Sequence, residues 1–244
     1  MGLEIALLIV GILIIIVSIA SFGVSIWLSL KYVKFNRRNS SSGMTGQEVA
    51  RKILDANGLG HIKVKATGSL MFGNSYSHYF KKVRLRRFTR HEASLTSVGI
   101  GAQKASLAIL DKDGDPDMKR RIRLVPIMTF GPFAFIPLVL IRVVLDLLIF
   151  NGSGIITLVL AGIGFLFYLY AVVLSVLTLK TEKKAQEIAY HVLKAQGIVN
   201  EEELANIKEL FKLYNIQYVN DIILSTLELI FRALEIAYKI KNSD

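Results

Sequence analysis

The sequence contains no cysteine. That absence excludes a disulfide framework, a cysteine-ligated metal and a thiol nucleophile. Acidic residues are also few, because 19 Asp and Glu stand against 30 Lys and Arg, which gives a formal net charge of +11. Charge is missing altogether from several long stretches, and 52% of the 244 residues are hydrophobic. This composition excludes a disordered chain and predicts an integral membrane protein.

The first long apolar run has no charged residue between Glu4 and Lys31. It exceeds the ~20 residues that an α-helix needs to cross the hydrocarbon core of a bilayer, so it predicts a transmembrane anchor over residues 1–31. A cleaved signal peptide would carry its basic residues before the apolar core. Here Lys31, Lys34 and two arginines follow it, which predicts that the N-terminus lies outside and the next loop in the cytoplasm.

A second hydrophobic region covers residues 124–179 and predicts a helical hairpin. Its two apolar runs are Leu124–Ile141 and Ile155–Leu179, separated by the break at residues 151–154. Arg142 and Asp146 lie four residues apart near the end of the first run, so they are expected to pair near the interface. These charges alone do not indicate transport, because the hairpin offers few other polar residues at membrane depth.

The last apolar region, Gln217–Lys239, has hydrophobic residues near helical spacing but also carries four charges. These charges favour an amphipathic helix packed on the bundle or lying at the interface over a lipid-exposed crossing. A membrane span remains the alternative. The charged residues are Asp221, Glu228, Arg232 and Glu235.

The positive charge belongs to one part of the chain. Residues 31–123 hold 20 of the 30 Lys and Arg but only 7 of the 19 acids. The densest tracts are Lys81–Arg90 (KKVRLRRFTR) and Lys119–Arg123 (KRRIR). A cytoplasmic loop attracted to anionic lipid is expected to show this pattern. Nucleic acid is not an expected partner, since no recognition fold surrounds these tracts.

Local signals predict the structure inside the basic segment. Thr45 and Glu48 form a capping box, and Asn57-Gly58 indicates the end of the helix that follows. The alternation in residues 61–67 (HIKVKAT) predicts a short strand. Residues 94–110 have Lys104 as their only charge and predict a mostly buried helix, in which Gly99 and Gly101 permit close helix packing.

The run NSSSGMTGQEVARKILDANGL, residues 39–59, closely resembles the start of the YugP-like membrane-bound zinc metallopeptidases. Further motifs follow in the order and spacing of that family, and the resemblance extends from the anchor to about Val219. The matching residues are Val83-Arg84-Leu85, Ala108-Ile109, Leu124-Val125-Pro126 and Thr178-Leu179 with Glu182 and Ala185.

The resemblance implies a helix with an H-E-x-x-H motif, whose two histidines hold Zn²⁺ while the glutamate acts as general base. At the corresponding positions this chain has Gln103, Lys104 and Leu107. Only Glu182 remains, at the position the resemblance implies for a third ligand. The sequence therefore predicts neither zinc nor catalytic residues at this site. Lys104 is expected either to pair with Glu182 or to be solvated.

A further departure concerns the family's D-H-Y-D stretch, which is here Asn74-Ser75-Tyr76-Ser77.

Other candidate sites are weak. His91-Glu92 begins an H-E-x-x-H pattern, but the fifth residue is Leu95. The remaining histidines, His61, His78 and His191, are too scattered to define a site and are interpreted as surface residues.

Four aspartates alternate along residues 111–117 in the manner of a calcium loop. The EF-hand template fails, however, because Gly114 lies at loop position 4 instead of 6, Pro116 intervenes, and Ile122 takes the place of the bidentate glutamate. We instead expect an acidic turn that neutralises the neighbouring tract Lys119–Arg123. The four residues are Asp111, Asp113, Asp115 and Asp117.

Together these observations predict a mainly α, multi-spanning membrane protein with a small α(+β) cytoplasmic segment. The expected parts are the anchor at 1–31, a basic cytoplasmic segment at 32–123 that contains the degenerate helix 94–110, the hairpin at 124–179, and cytoplasmic plus C-terminal helices at 180–244. The expected function is that of a non-catalytic pseudopeptidase whose partners are the lipid bilayer and another membrane protein or substrate. The alternatives are an active zinc metallopeptidase with other ligands and an anionic-lipid-binding scaffold.

Overall fold

A computed structural model of the protein describes residues 2–67, 73–126 and 155–241. These residues are mainly helical, as predicted, and include one small three-stranded sheet. The elements in chain order are α1 (Gly2–Asn36), α2 (Gly46–Ala56), β1 (Lys63–Ala66), β2 (Ser75–Ser77), β3 (Lys82–Leu85), α3 (Arg87–His91), α4 (Leu95–Lys112), α5 (116–126), α6 (Ile155–Ala195) and α7 (Glu201–Lys241).

Within the described residues, two helices are long and apolar enough to cross a membrane, Gly2–Asn36 and Gly162–Ala195. Ile15, Ile19 and Phe22 on α1 are exposed, an arrangement that suits contact with lipid. The second apolar run of the predicted hairpin forms the first part of α6. Of the first run, only residues 124–126 are described. Arg142, Asp146 and the break at residues 151–154 lie outside the described residues.

The predicted start and end of α2 are confirmed. The Thr45 hydroxyl accepts a hydrogen bond from the Glu48 amide at 3.3 Å, and the Glu48 carboxylate accepts from the Thr45 amide at 2.7 Å. The bond from the Thr45 amide, followed by one from the Thr45 hydroxyl to the same carboxylate at 2.9 Å, lowers the pKa of Glu48. The helix ends at Asn57, and Gly58 adopts a φ of 70°, a conformation that favours glycine.

The sheet has the strand order β1-β3-β2, with β1 parallel and β2 antiparallel to the central strand. The predicted strand at 61–67 is confirmed as β1. Val83 and Leu85 of β3 are fully buried, and they belong to the same apolar core as Val49 and Ile53 of α2. Because side chains alternate along a strand, Lys82 and Arg84 lie on the opposite face of the sheet.

Helix α4 is buried over its whole length from Leu95 to Leu110, which confirms the predicted buried helix. Ser94 caps it through a hydrogen bond from the Ser97 amide. A Cβ atom built on Gly101 would lie 2.3 Å from the Gly46 carbonyl oxygen, so only glycine permits this approach of α2 to α4. The predicted packing role of the glycines in α4 is confirmed.

Two compact units make up the chain. One consists of Gly23–Ile122 and Leu177–Gln217, and it contains the sheet, α4 and every side chain of the candidate site. The other consists of Met1–Phe22, Arg123–Val176 and Tyr218–Asp244. The predicted C-terminal helix at Gln217–Lys239 is confirmed as part of α7. Whether it crosses a membrane stays a prediction.

Candidate functional site

Helices α4 and α6 supply the residues that the family resemblance singles out. Gln103, Lys104 and Leu107 lie on α4 and are 6%, 7% and 1% exposed, while Glu182 of α6 is 1% exposed. Gln103 and Leu107 are four residues apart, the spacing that places two side chains on one face of a helix. All four positions are therefore buried, although two of them carry charges.

Lys104 and Glu182 form a buried ion pair. The Lys104 Nζ donates a hydrogen bond to Glu182 Oε2 at 2.7 Å. The predicted pairing is confirmed, and the alternative of a solvated lysine is wrong.

A second cation binds the same carboxylate. Arg121 on α5 donates from Nη2 to Glu182 Oε1 at 3.1 Å and from Nη1 to the Thr181 hydroxyl at 2.7 Å. The Thr181 hydroxyl in turn donates to the backbone of α6 within 3.0 Å. Both carboxylate oxygens of Glu182 are thus engaged. Arg121 was not predicted as a site residue, because no signal in the tract KRRIR separates it from its neighbours.

This cluster, Lys104, Arg121 and Glu182, carries two positive charges and one negative charge at low exposure. The side chains of the lysine and the arginine are 9% and 18% exposed, and that of the glutamate is 2% exposed. Two cations in contact with a carboxylate favour its ionised form and offset the cost of its burial. The arrangement stabilises packing between α4, α5 and α6.

Leu107 lies in an apolar cluster instead of a polar site. It packs with Leu110, Met118 and Ala185, and Tyr76 and Ile122 cover the cluster from outside. The residue at the second histidine position therefore fills a hydrophobic core. Its side chain has no atom that could bind a metal ion.

The donor set does not fit zinc. A catalytic zinc site needs three protein ligands and an open position for water. Here Leu107 cannot ligate, Lys104 is cationic, and both oxygens of Glu182 already accept hydrogen bonds. In residues 2–67, 73–126 and 155–241, no group of three or more His, Asp or Glu side chains is arranged to hold a metal ion.

The four histidines do not come together in one metal-binding group within the described residues. Glu92, which follows His91, accepts a hydrogen bond from Asn36 Nδ2 at 2.7 Å, so it connects α3 to the end of α1. His61 and His191 are exposed, as predicted. His78 lies 2.7 Å from the carboxylate of Asp111.

The expected neutralisation of the tract Lys119–Arg123 by the aspartates is largely wrong. In the described part of the chain, only Arg120 of that tract forms an ion pair with one of these aspartates, through Asp117 at 3.5 Å. Asp115 and Asp117 instead bind Lys184 of α6 at 2.6 and 2.8 Å. The physical reason is that Asp115 accepts a hydrogen bond from the Met118 amide at the start of α5, which turns its carboxylate towards α6.

The pKa of Asp115 reflects these contacts. Its partial burial raises the pKa, but hydrogen bonds from Lys184 and from the amide of Met118 outweigh the burial, so the pKa is lowered overall. The opposite shift occurs at Tyr76, whose hydroxyl donates to Asp111 at 2.5 Å. Burial, followed by this hydrogen bond and the negative charge of Asp111, raises the pKa of Tyr76.

Comparison with known proteins relates this chain to one family. A family model described as "Putative neutral zinc metallopeptidase" matches residues 10–237. The chain is also similar to "Putative membrane protease YugP" of Bacillus subtilis (strain 168), with 25% identity over 222 residues that cover 89% of this chain and 94% of the relative. No solved structure gives a significant match. The match over most of the chain shows that this protein belongs to the family of putative neutral zinc metallopeptidases.

Proposed function

We propose that this protein is a membrane pseudopeptidase, which binds a membrane partner or substrate without hydrolysing it. The observation that supports this most strongly is the buried cluster of Lys104, Arg121 and Glu182. A glutamine, a lysine and a leucine stand where the resemblance implies two zinc ligands and a general base. The scaffold of the family is retained, while the groups that perform its chemistry are replaced.

Electrostatics opposes a metal ion at this position. A unit positive charge about 5 Å from Zn²⁺ costs roughly 7 kcal/mol at an effective dielectric constant of 20. Lys104 would impose a cost of this kind, since its ammonium is buried and already lies 2.7 Å from the one remaining carboxylate. Zinc would have to displace that pair before it could bind Glu182.

The proposed location is the cell membrane, with α1 and α6 as spanning helices. The charge-free run between Glu4 and Lys31 and the basic residues after it support an N-terminus outside and a cytoplasmic segment at 32–123. A multi-pass arrangement would add the run that begins at Leu124. The proposed binding partner is another membrane protein.

Metal content of the purified full-length chain tests the proposal. We expect less than about one tenth of a zinc ion per chain by mass spectrometry, because a three-ligand site is required for tight binding. We also expect an unchanged melting temperature in the presence of a chelator. Stoichiometric zinc that disappears in Glu182→Gln would overturn the proposal and favour an active peptidase that recruits other ligands.

A reconstruction provides the matched positive control. The variant Gln103→His/Lys104→Glu/Leu107→His, combined with Arg121→Gln, restores the motif and removes both cations. If the family's site lies at these positions, this variant should bind one zinc ion per chain, whereas Arg121→Gln alone should bind none. A reconstructed protein that keeps its fold but takes up no zinc would contradict the assignment of the positions.

A further inference from the structure

The outer face of the three-stranded sheet is a cluster of unpaired positive charges. Strands β1 and β3 are parallel, with Lys63 opposite Lys82 and Lys65 opposite Arg84. The buried side chains of β3 point towards α2, so these four cations share the other face. Among the described parts of the chain, no carboxylate forms an ion pair with any of them. Strand β2 adds only Ser75 and Ser77 beside β3.

This arrangement is unfavourable for the isolated sheet. Like charges at directly opposite positions of neighbouring strands destabilise a sheet, whereas opposite charges stabilise it. Here both charged cross-strand positions repel. A local conflict of this kind is expected where a functional contact compensates for it. A surface that supplies several negative charges would remove the repulsion between the strands.

An exposed aromatic residue lies on the same face. Phe80 is 65% exposed, and its ring centroid lies 4.6 Å from Lys82 Nζ and 5.3 Å from Arg84 Cζ. An aromatic side chain surrounded by cations can enter the boundary between headgroups and acyl chains while the cations contact lipid phosphates. A soluble anion would offer Phe80 no apolar environment. The combination therefore favours a bilayer over a small anion or a polynucleotide.

We propose that this cationic sheet face docks on a bilayer surface that contains anionic lipid. The cationic sheet face is defined by Lys63, Lys65, Phe80, Lys82 and Arg84. Helix α1, which is charge-free between Glu4 and Lys31, is long and apolar enough to hold the same chain at a bilayer, so the sheet is tethered near a lipid surface. Each basic residue next to such a surface strengthens association about fivefold. This inference is independent of the metal site and of the pseudopeptidase proposal.

Spin labelling of the full-length chain in lipid nanodiscs tests the docking. The chain has no cysteine, so Phe80→Cys introduces a single labelling position. The matched control is Lys52→Cys, an exposed position on α2, which packs against the inner face of the sheet. In nanodiscs with about one quarter anionic phosphatidylserine, we expect the label at 80 to be immersed and the label at 52 to be in water. Immersion should be lost in phosphatidylcholine alone and at about 1 M salt, where the Debye length is about 3 Å.

A charge variant separates docking from folding. Replacing the four cations of the face by glutamine should shift the ratio of docked to undocked label by roughly two to three orders of magnitude. It should leave the melting temperature unchanged or higher, because it removes the repulsion between β1 and β3. A control in which four exposed lysines outside this face are replaced by glutamine should keep the label immersed. These control positions are Lys52, Lys112, Lys194 and Lys208.

Four results would overturn the proposal. A label at 80 that stays in water in anionic nanodiscs, or that is equally immersed in both lipids, would show that anionic lipid is not recognised. A lower melting temperature in the sheet variant would show that the cations stabilise the fold instead. Binding of a labelled RNA homopolymer by this face, without immersion in anionic nanodiscs, would assign the face to nucleic acid.

Discussion

The isosteric substitution Glu182→Gln should be strongly destabilising. It leaves Lys104 and Arg121 facing a neutral amide, although their side chains are only 9% and 18% exposed. Removing one partner of a buried ion pair typically costs about 3–5 kcal/mol, because it leaves an uncompensated charge. We expect a loss in this range, since the lysine is the more buried cation and its ammonium lies within 2.7 Å of the carboxylate.

The same reasoning predicts a smaller effect for Lys104→Met. Glu182 would keep its bond from Arg121 at 3.1 Å, so its charge would remain compensated. We therefore expect a loss of about 1–3 kcal/mol, the cost of one hydrogen bond to a charged group. In the double variant Lys104→Met/Glu182→Gln, no buried lysine is left without a partner. Its loss should be smaller than the sum of the single losses by up to about 3 kcal/mol.

Thermal unfolding in detergent micelles measures these differences. For a chain of this size, 1 kcal/mol corresponds to about 2–4 °C, so Glu182→Gln should lower the melting temperature by roughly 6–20 °C. The matched control is Glu202→Gln, which removes an exposed pair with Arg38 at 2.8 Å and should cost at most about 1 kcal/mol. A shift for Glu182→Gln no larger than that of the control, or additive losses in the double variant, would refute the buried-pair reasoning.

Two further substitutions, at Gly101 and Tyr76, test other parts of the compact unit that contains the sheet and α4. Gly101→Ala should cost about 1–3 kcal/mol of stability in thermal unfolding, because the new Cβ atom would lie 2.3 Å from the Gly46 carbonyl oxygen. The control is Gly162→Ala, whose Cβ atom would have no neighbour within 4 Å and which should cost nothing. Tyr76→Phe should cost about 1–2 kcal/mol at neutral pH, because it removes a hydrogen bond to ionised Asp111. Because the pKa of Tyr76 is raised in the folded state, the neutral hydroxyl stabilises that state below the ordinary tyrosine pKa of about 10. The melting temperatures of the wild type and Tyr76→Phe should therefore converge as the pH rises above that value. A difference in melting temperature that stays constant with pH would contradict this.

Features that depend on neighbouring residues could be predicted from the sequence. The capping box of Thr45 and Glu48, the end of α2 at Asn57 and the buried helix α4 each follow from patterns within a few turns. The close approach at Gly101 was also predictable in kind, since small residues on a buried helix permit contact between backbones. The contact with Gly46, however, required knowledge of which helix packs there.

Partners of charged side chains were less predictable. Lys104 and Glu182 could be paired only because the family resemblance put both at one site. Arg121 lies 61 positions before Glu182 in the chain, and nothing in the tract KRRIR separates it from its neighbours. Asp115 and Asp117 similarly bind Lys184 instead of the adjacent cations, because the geometry of α5 decides where their carboxylates point.

The charges of the cluster explain why Glu182 can remain in a chain that lacks the other ligands. A buried carboxylate that loses a metal ion is left without compensation, which destabilises a protein by about 3–5 kcal/mol. Lys104 and Arg121 together supply two positive charges, equal to the charge of the zinc ion that the family resemblance implies. Gln103 and Leu107 are neutral and need no such compensation when they stand in place of neutral histidines. We infer that Glu182 is a structural residue in this chain, which stabilises the helices through two cations where an active relative would use a metal.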